Sequence, residues 1–514
     1  MKRITFLMAT LLVAMTGCQK EPQTQPEKNN GLNAEGVGYV SLKISLPSST
    51  ATKAEAFDDG KAYEYKVNTV NVIFYDESGN YQYDTQVSPE PWDNNNGSDI
   101  TVSGKTEAIK VNKAVKQALV LVNAPADVLA KKESSYSTLN AALAATTESL
   151  IGSDMDNFFM SNAPYYDANG KFTTLVPVNV KPSESQALAA AENIQVERAT
   201  AKVTVIYAEE FTYNNDRCVI EGWNLDVTNN YFFPVREGFD SDGANEWFSA
   251  ANTPYNPGIL GSSGRIYMAK DPNYAAGWLL EDGKTIENSF TGVTEGDFSE
   301  DNIAVSREDR YCLENTFNPE CMNENQTTTV MLKANYIPEG IEEGETWFMV
   351  GSGKTIMSAE ELADYFFEKA SDASNHVTKE EAIAAANLLP AGDATESTFI
   401  DLSCGSYFGN VTCYKDGVCY YPIKIRHFTA EELGYNTEEE FKTSFENSGY
   451  VLSDIGRYGV LRNTWYNITI NSIKNPGSPI IPKPTDTPDD KFEQFVACTI
   501  DILAWSVRNH GVDL

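Results

Sequence analysis

The chain has 514 residues, 41% of them hydrophobic and 11% aromatic, with 26 Tyr. That is long enough for about two to four domains with sizeable cores, and rich enough in strand-forming residues to favour sheets over helical bundles. Asp and Glu total 73 against 39 Lys and Arg, a net charge of −34, which repels phosphate backbones and so excludes nucleic acid as a partner.

The N-terminus, "MKRITFLMATLLVAMTGCQK", has two basic residues, then an apolar run over 4–15. The run is too short to span a bilayer and reads as a signal peptide over 1–17. Small residues before Cys18 resemble a bacterial lipobox, whose cleavage would leave a diacylated Cys18. The alternative is a plain secretory signal with a chance cysteine. Residues 19–35 are polar and rich in Pro, Gln and Asn, the composition of a flexible tether.

In "GYVSLKISLP", Val40, Leu42, Ile44 and Leu46 alternate with Ser41, Lys43 and Ser45, which predicts a strand with one buried face. "SSTATKAEAFDDG" then reads as an exposed segment with one basic residue, Lys53. From residue 63 the pattern is strand after strand: "NTVNVIFYDESGNYQY" with a turn over 77–80, "QALVLVNAP" stopped by Pro125, and a hairpin turning at Asn169-Gly170. A short helix is expected over 139–150. In "IQVERATAKVTVIYA", Ala201, Val203 and Val205 alternate with Lys202 and Thr204.

The second half continues with "RCVIEGWNLDVTN", "TTTVMLKANYIP", "FIDLSC", "NVTCYKDGVCYYPIKIRHF" and "RNTWYNITINSI" as strands. Three capping-box patterns, Ser358/Glu361, Thr378/Glu381 and Thr429/Glu432, each announce a helix. "NPGSPIIPKPTDTPDD" reads as a semi-stiff spacer. The last segment is again a strand: Cys498, Ile500 and Ile502 form one apolar row, and Leu503, Trp505 and Val507 a second in the opposite phase. The phase change predicts a bulge, or a crossing between surfaces, at 502–503. The whole is an all-β protein with short helical insertions. It divides into residues 18–53, a β-sandwich domain over 54–198, a second over 199–474, and a terminal stretch over 475–514.

Catalytic and metal motifs have little support. "VGSGKT" has Phe348 where a phosphate loop needs its first glycine. The only histidines, His376, His427 and His510, lie in unrelated contexts. "DSDGANE" over 240–246 lacks the full ligand spacing of a calcium loop and reads equally as a solvated turn. No cofactor is expected. With Cys18 lipidated, seven cysteines remain, an odd number. Cys413 and Cys419 would point to opposite faces of a hairpin turning at Asp416-Gly417, which argues against a disulfide. Cys312 and Cys321 could close a loop.

One scheme links the two ends of the chain. A cut between Lys53 and Ala54 would release the strand carrying Val40, Leu42, Ile44 and Leu46. The bared groove could then take another copy's terminal strand, with Cys498, Ile500, Ile502, Leu503, Trp505 and Val507 as donor residues. Repeated head to tail, that contact builds a fibre. The alternative is that both segments are ordinary strands of their own domains.

The sequence resembles the Bacteroidia major fimbrial subunits (the fimbrillins), closest to the Mfa-type shaft proteins. The resemblance runs through the Cys18 lipobox, "ALVLVNAP", "VERATAKVTV", "YCLENTF", "TTTVMLKANYIP", "CYYPIKIRHF" and "GRYGVLRNTWYNITINSI". It implies two transthyretin-like β-sandwich domains and a non-enzymatic structural role. It further implies export as a lipidated precursor to the outer membrane, proteolytic trimming, and polymerisation through the C-terminal donor segment into an extracellular fimbria. Expected partners are copies of the same chain, anchor and tip subunits, and host or bacterial surface ligands. Family members are cut after Arg, whereas Lys53 stands in the equivalent stretch here. Since both Lys53 and a full terminal segment are present, a shaft subunit is favoured over an anchor or tip. The alternative from another class is a glycan-binding surface lipoprotein that uses its 7 Trp and 26 Tyr as stacking platforms.

Overall fold

The computed structural model describes residues 31–46, 60–88, 103–111, 115–166, 172–237, 269–273, 286–351, 354–369, 378–394, 411–491 and 496–504. The architecture is mostly β-sheet. In the N-terminal half the strands used below are β1 (Gly38–Val40), β2 (Leu42–Ser45), β3 (Val70–Tyr75), β4 (Tyr81–Val87), β5 (Ser103–Lys105), β6 (Ile109–Val111), β7 (Gln117–Val122), β8 (Met160–Asn162) and β9 (Glu192–Arg198). One sheet runs β4-β3-β7-β8-β9-β2-β5, and β1 pairs with β6 beside it. The core beneath gathers Val40, Leu42, Ile44, Val72, Phe74, Leu119, Leu121, Phe159 and Val196.

At Ala199 the chain leaves β9 and enters the second half through β10 (Thr200–Ile206). There follow β11 (Glu210–Tyr213), β12 (Asp216–Asp226), β13 (Asp309–Leu313) and β14 (Thr329–Ile337). An insertion contributes β15 (Trp347–Val350), β16 (Thr355–Ser358), helices α1 (Ala359–Lys369) and α2 (Lys379–Asn387), β17 (Gly392–Ala394) and β18 (Val411–Tyr414). The main body resumes with β19 (Val418–Lys424), α3 (Glu438–Ser448), β20 (Thr464–Ile473) and β21 (Val496–Ala504). Two four-stranded sheets, β13-β10-β20-β21 and β11-β12-β14-β19, enclose a core built from Val203, Val205, Trp223, Leu332, Tyr336, Ile423, Tyr466 and Ile468. A third sheet, β16-β15-β18-β17, buries Phe348, Val411 and Cys413 against Leu362 of α1 and Ala386 of α2. At the β12 bulge between Ile220 and Gly222, a Cβ on Gly222 would lie 2.4 Å from Ile303, so the close approach there requires glycine.

Several local expectations meet corrections. The helix expected over 139–150 is two short helices, Tyr136–Leu139 and Thr147–Ile151, separated by a two-residue strand that pairs with Tyr231–Phe232 of the second half. The capping boxes at Ser358/Glu361 and Thr378/Glu381 form and open α1 and α2. That at Thr429/Glu432 also forms, but encloses only a turn; the helix starts later, at Glu438, capped by Thr437. Asp416-Gly417 is a corner rather than a hairpin turn: β18 pairs with β15, and β19 with β14, in different sheets. Cys312, Cys321, Cys413 and Cys419 are all buried free thiols, so the loop closure allowed for Cys312 and Cys321 does not occur.

The two halves meet through buried charge. Lys202, which alternates with the apolar row of β10, is 1% exposed. Its Nζ lies 2.9 Å from Glu64 and 3.3 Å from Asp309, and 4.1 Å from the centre of the Trp465 ring. Glu64 also accepts a 2.6 Å bond from the Tyr311 hydroxyl. A second pair, Arg236 with Glu197, is bidentate at 2.8 and 3.0 Å, and Arg462 binds Glu314 at 2.9 Å. Buried charges are tolerable when so paired, and losing one partner costs about 3–5 kcal/mol. The joint is therefore fixed by charge geometry as well as by apolar packing.

Candidate functional site

The strand pattern over residues 38–46 is held on both flanks. β1 pairs antiparallel with β6 through Gly38↔Val111, Tyr39↔Lys110 and Val40↔Ile109. On its other side Tyr39 exchanges backbone bonds with Lys181, at 2.8 and 2.9 Å. β2 then lies between β9, parallel through Leu42↔Glu192 to Ser45↔Gln195, and β5, antiparallel. Ser41 joins the two strands and is pinned to Thr106: its Oγ donates to the Thr106 carbonyl at 3.0 Å, and Thr106 Oγ1 accepts from Leu42 N–H at 3.0 Å. Val40, Leu42, Ile44 and Leu46 are 1, 0, 0 and 2% exposed, while Lys43 is exposed. Burying four such side chains is worth about 6–12 kcal/mol as an upper estimate. Removing this stretch would bare one apolar slot with unpaired strand edges on both sides.

The C-terminal strand sits differently. Among the described residues β21 pairs only with β20, antiparallel, from Ile473↔Val496 to Thr464↔Ala504, and stands at the edge of its sheet. Val496 is buried in the second core; Cys498 and Ile500 are only partly buried against it. The bulge expected at 502–503 is not there. Register runs unbroken from Cys498 to Ala504, and the irregularity lies on β20, between Ile470 and Ser472. There the facing strand absorbs the extra residue. Ile502 and Leu503 hold register positions opposite Tyr466 and Trp465. Cys18, Lys53, Ala54, Trp505 and Val507 lie outside the described residues, as do His376, His510 and the 240–246 segment.

Sequence reasoning found both strands but missed what surrounds them. Nothing in "GYVSLKISLP" announces strands on both flanks. The Thr106 contacts come from 65 residues away. The second omission is the path of residues 475–491, which read as a spacer and instead pack along the second half.

Features that would serve other chemistry do not assemble. Among the described residues no group of three or more metal-ligating side chains gathers. In "VGSGKT", Val350 ends β15 and Thr355 opens β16, and the two pair with each other. The three Trp among the described residues, Trp223, Trp347 and Trp465, are buried at 0, 0 and 8% exposure and offer no stacking platform. The buried thiols Cys218 and Cys312 are pushed up to about 12 by desolvation, which makes them poor nucleophiles. His427 is fully enclosed, its Nδ1 2.8 Å from the Tyr466 hydroxyl; desolvation and the nearby Arg236 charge lower its pKa to about 3.

Two family models match the chain. The major fimbrial subunit protein (FimA) model covers residues 39–198, and the C-terminal model of major fimbrial subunit protein type IV, fimbrillin, covers 412–510. Together they span just over half of the sequence and include both strands described above. The chain belongs to the major fimbrial subunit family. It is accordingly a self-associating structural subunit of a cell-surface fimbria and not an enzyme. No curated protein matches it. Among solved structures, a fimbrilin (FimA) from Porphyromonas gingivalis W83 is 12% identical, covering 92% of this chain and 98% of that one at a TM-score of 0.38. The tip fimbrial protein Mfa3 from Porphyromonas gingivalis is 11% identical, covering 90% and 100% at a TM-score of 0.34. A fimbrial assembly protein from Parabacteroides distasonis ATCC 8503 is 10% identical, covering 60% and 84% at 0.29.

Proposed function

We propose that this fimbrillin is a shaft subunit that polymerises by exchanging strands. The precursor is exported as a lipoprotein anchored through Cys18, and a trypsin-like protease cuts between Lys53 and Ala54. Residues 38–46 then leave with the lipid. Another copy's terminal strand enters the slot once held by Val40, Leu42, Ile44 and Leu46, with Cys498, Ile500, Ile502, Leu503, Trp505 and Val507 as donor residues. The domain limits are those of the sequence: a removable N-terminal segment to Lys53, two β-sandwich domains meeting near 198–199, and the terminal stretch from 475.

The observation that carries this reading is the double flanking of β1 and β2. A strand held from both sides leaves a slot shaped for another strand, whereas an edge strand leaves only a surface. The charge of −34 fits a fibre in salt-rich surroundings, where screening lets acidic subunits stack.

Brief trypsin treatment of the purified precursor is the test. It should give a chain beginning at Ala54 by N-terminal sequencing, followed by an oligomer ladder. A trimmed chain lacking residues 492–514 should stay monomeric. If the trimmed full-length chain never assembles, or the truncated one assembles equally well, the reading is wrong.

A further inference from the structure

The stretch between β20 and the terminal strand is held in place along its length. Ser478 and Tyr420 exchange backbone bonds of 2.7 and 2.9 Å. Just before it, a Cβ on Gly477 would stand 2.4 Å from the Tyr420 carbonyl oxygen, so only glycine permits this approach. Further on, Asn325 N–H donates to the Thr485 carbonyl at 2.9 Å and Glu324 N–H to that of Thr487 at 3.1 Å. The Glu324 carboxylate in turn accepts from the Thr485 hydroxyl at 2.9 Å.

The path ends at two consecutive ionic anchors. Asp489, 1% exposed, takes Lys424 Nζ at 2.9 Å and the Thr327 hydroxyl at 2.5 Å. Asp490 accepts from the hydroxyls of Tyr458 at 2.9 Å and Tyr450 at 3.0 Å, and meets Arg457 at 3.3 Å. Arg457 is itself held by Glu438 of α3 at 2.6 and 3.0 Å. Burying a carboxylate is costly unless it is paired, and a spacer that served only as a tether would have no use for one.

We propose that residues 478–491 are a fixed strap that stays docked while the terminal strand is exchanged between copies, with Lys424 and Arg457 as positioning residues that set where the donor leaves its domain. This rests on the strand-exchange reading above. The free donor then begins at residue 492, and undocking residues 478–491 would add at most about 50 Å of extended chain to its tether. Pull along the fibre enters the domain at Lys424, at the end of β19, and does not run out through a slack linker.

Hydrogen exchange on trimmed full-length chain, before and after assembly, tests this without a variant. The amides of Tyr420, Ser478, Glu324 and Asn325 should be equally protected in monomer and polymer. Loss of that protection in the polymer overturns the strap, while failure of any polymer to form counts against strand exchange itself. A Gly477→Val chain adds a second arm: a strap forced off its bed should lose protection at the same amides and give polymers whose subunit spacing in electron micrographs is longer and less uniform, because the donor's point of exit is no longer fixed. A strap that only stabilised the monomer would lower the melting temperature and leave the subunit spacing unchanged, and that result also overturns the proposal.

Discussion

The first and last described strands carry nearly the same message in sequence and occupy opposite situations in the fold. "VSLKISL" and "VACTIDILA" both alternate apolar with polar residues. The first is enclosed, with β9 and β5 on its two sides and its apolar row almost wholly removed from water. The second, among the described residues, pairs with β20 alone, and its Cys498 and Ile500 are half-covered. The contrast teaches that alternation specifies a strand with one apolar face but not how many neighbours it will have. Neighbour count decides whether its departure leaves a slot or a bare edge. The enclosed strand is the costly one to remove and the edge strand the cheap one, which is the order the proposed trimming and exchange require.

Truncation at matched positions would break this contrast most directly. Leu42→Ala in the uncut chain should cost about 2–5 kcal/mol, the range for a fully buried leucine. Ile500→Ala should cost only about 1 kcal/mol in the monomer, since less apolar area is lost. Urea melts of the two variants measure both. In assembly the order should reverse, with Ile500→Ala impairing the oligomer ladder and Leu42→Ala, whose side chain leaves with the cut segment, having no effect on trimmed chains. Equal costs in the monomer would mean that the two strands are equally held.

Much of this was legible beforehand, and the limits are physical. The strand at 40–46, the buried run ending at Pro125 and the caps before α1 and α2 all depend on residues a few positions apart, which a linear pattern records. Alternation assigns Lys202 a face but not what covers it; here Glu64 and Asp309 do. Asp416-Gly417 was misread because turn residues say that a chain bends but not which distant strand each arm will join. The strap escaped notice because Pro-rich composition describes stiffness, while its anchoring depends on Lys424 and Arg457, far away in sequence. The candidate slot was legible as a strand, and illegible as an enclosure.

Acid should act on the edge strand's side first. His427 contacts Tyr466 of β20, the strand that carries β21. The Tyr466 hydroxyl accepts from Leu461 N–H at 2.9 Å, which leaves its own proton for His427 Nδ1, and Arg236 adds positive charge nearby. The folded pKa of about 3 is below the ordinary 6.5, so the unfolded state takes up the proton first. The contribution of His427 is therefore in full above about pH 6.5 and should be lost by about 1.4 kcal/mol per pH unit from there down to about pH 3. His427→Gln should flatten that slope in pH-dependent urea melts. A slope unchanged by the substitution would place the acid sensitivity elsewhere.

A smaller effect sharpens the account of the enclosed strand. Thr106 Oγ1 is the acceptor for Leu42 N–H, and the Thr106 carbonyl takes the Ser41 hydroxyl. Thr106→Val keeps shape and carbonyl but leaves the Leu42 amide unpaired in a buried position, at a cost of about 1–3 kcal/mol. In the uncut chain that loss should appear as faster hydrogen exchange at Leu42 and earlier melting. In a trimmed polymer Leu42 is gone, and whatever strand fills the slot meets the same position with a backbone amide of its own. The variant should therefore weaken polymer and precursor by similar amounts if the incoming strand adopts the register of the departed one. A penalty seen only in the precursor would show that the newcomer passes Thr106 without using it, and that the two strands share a slot but not a hydrogen-bonding scheme.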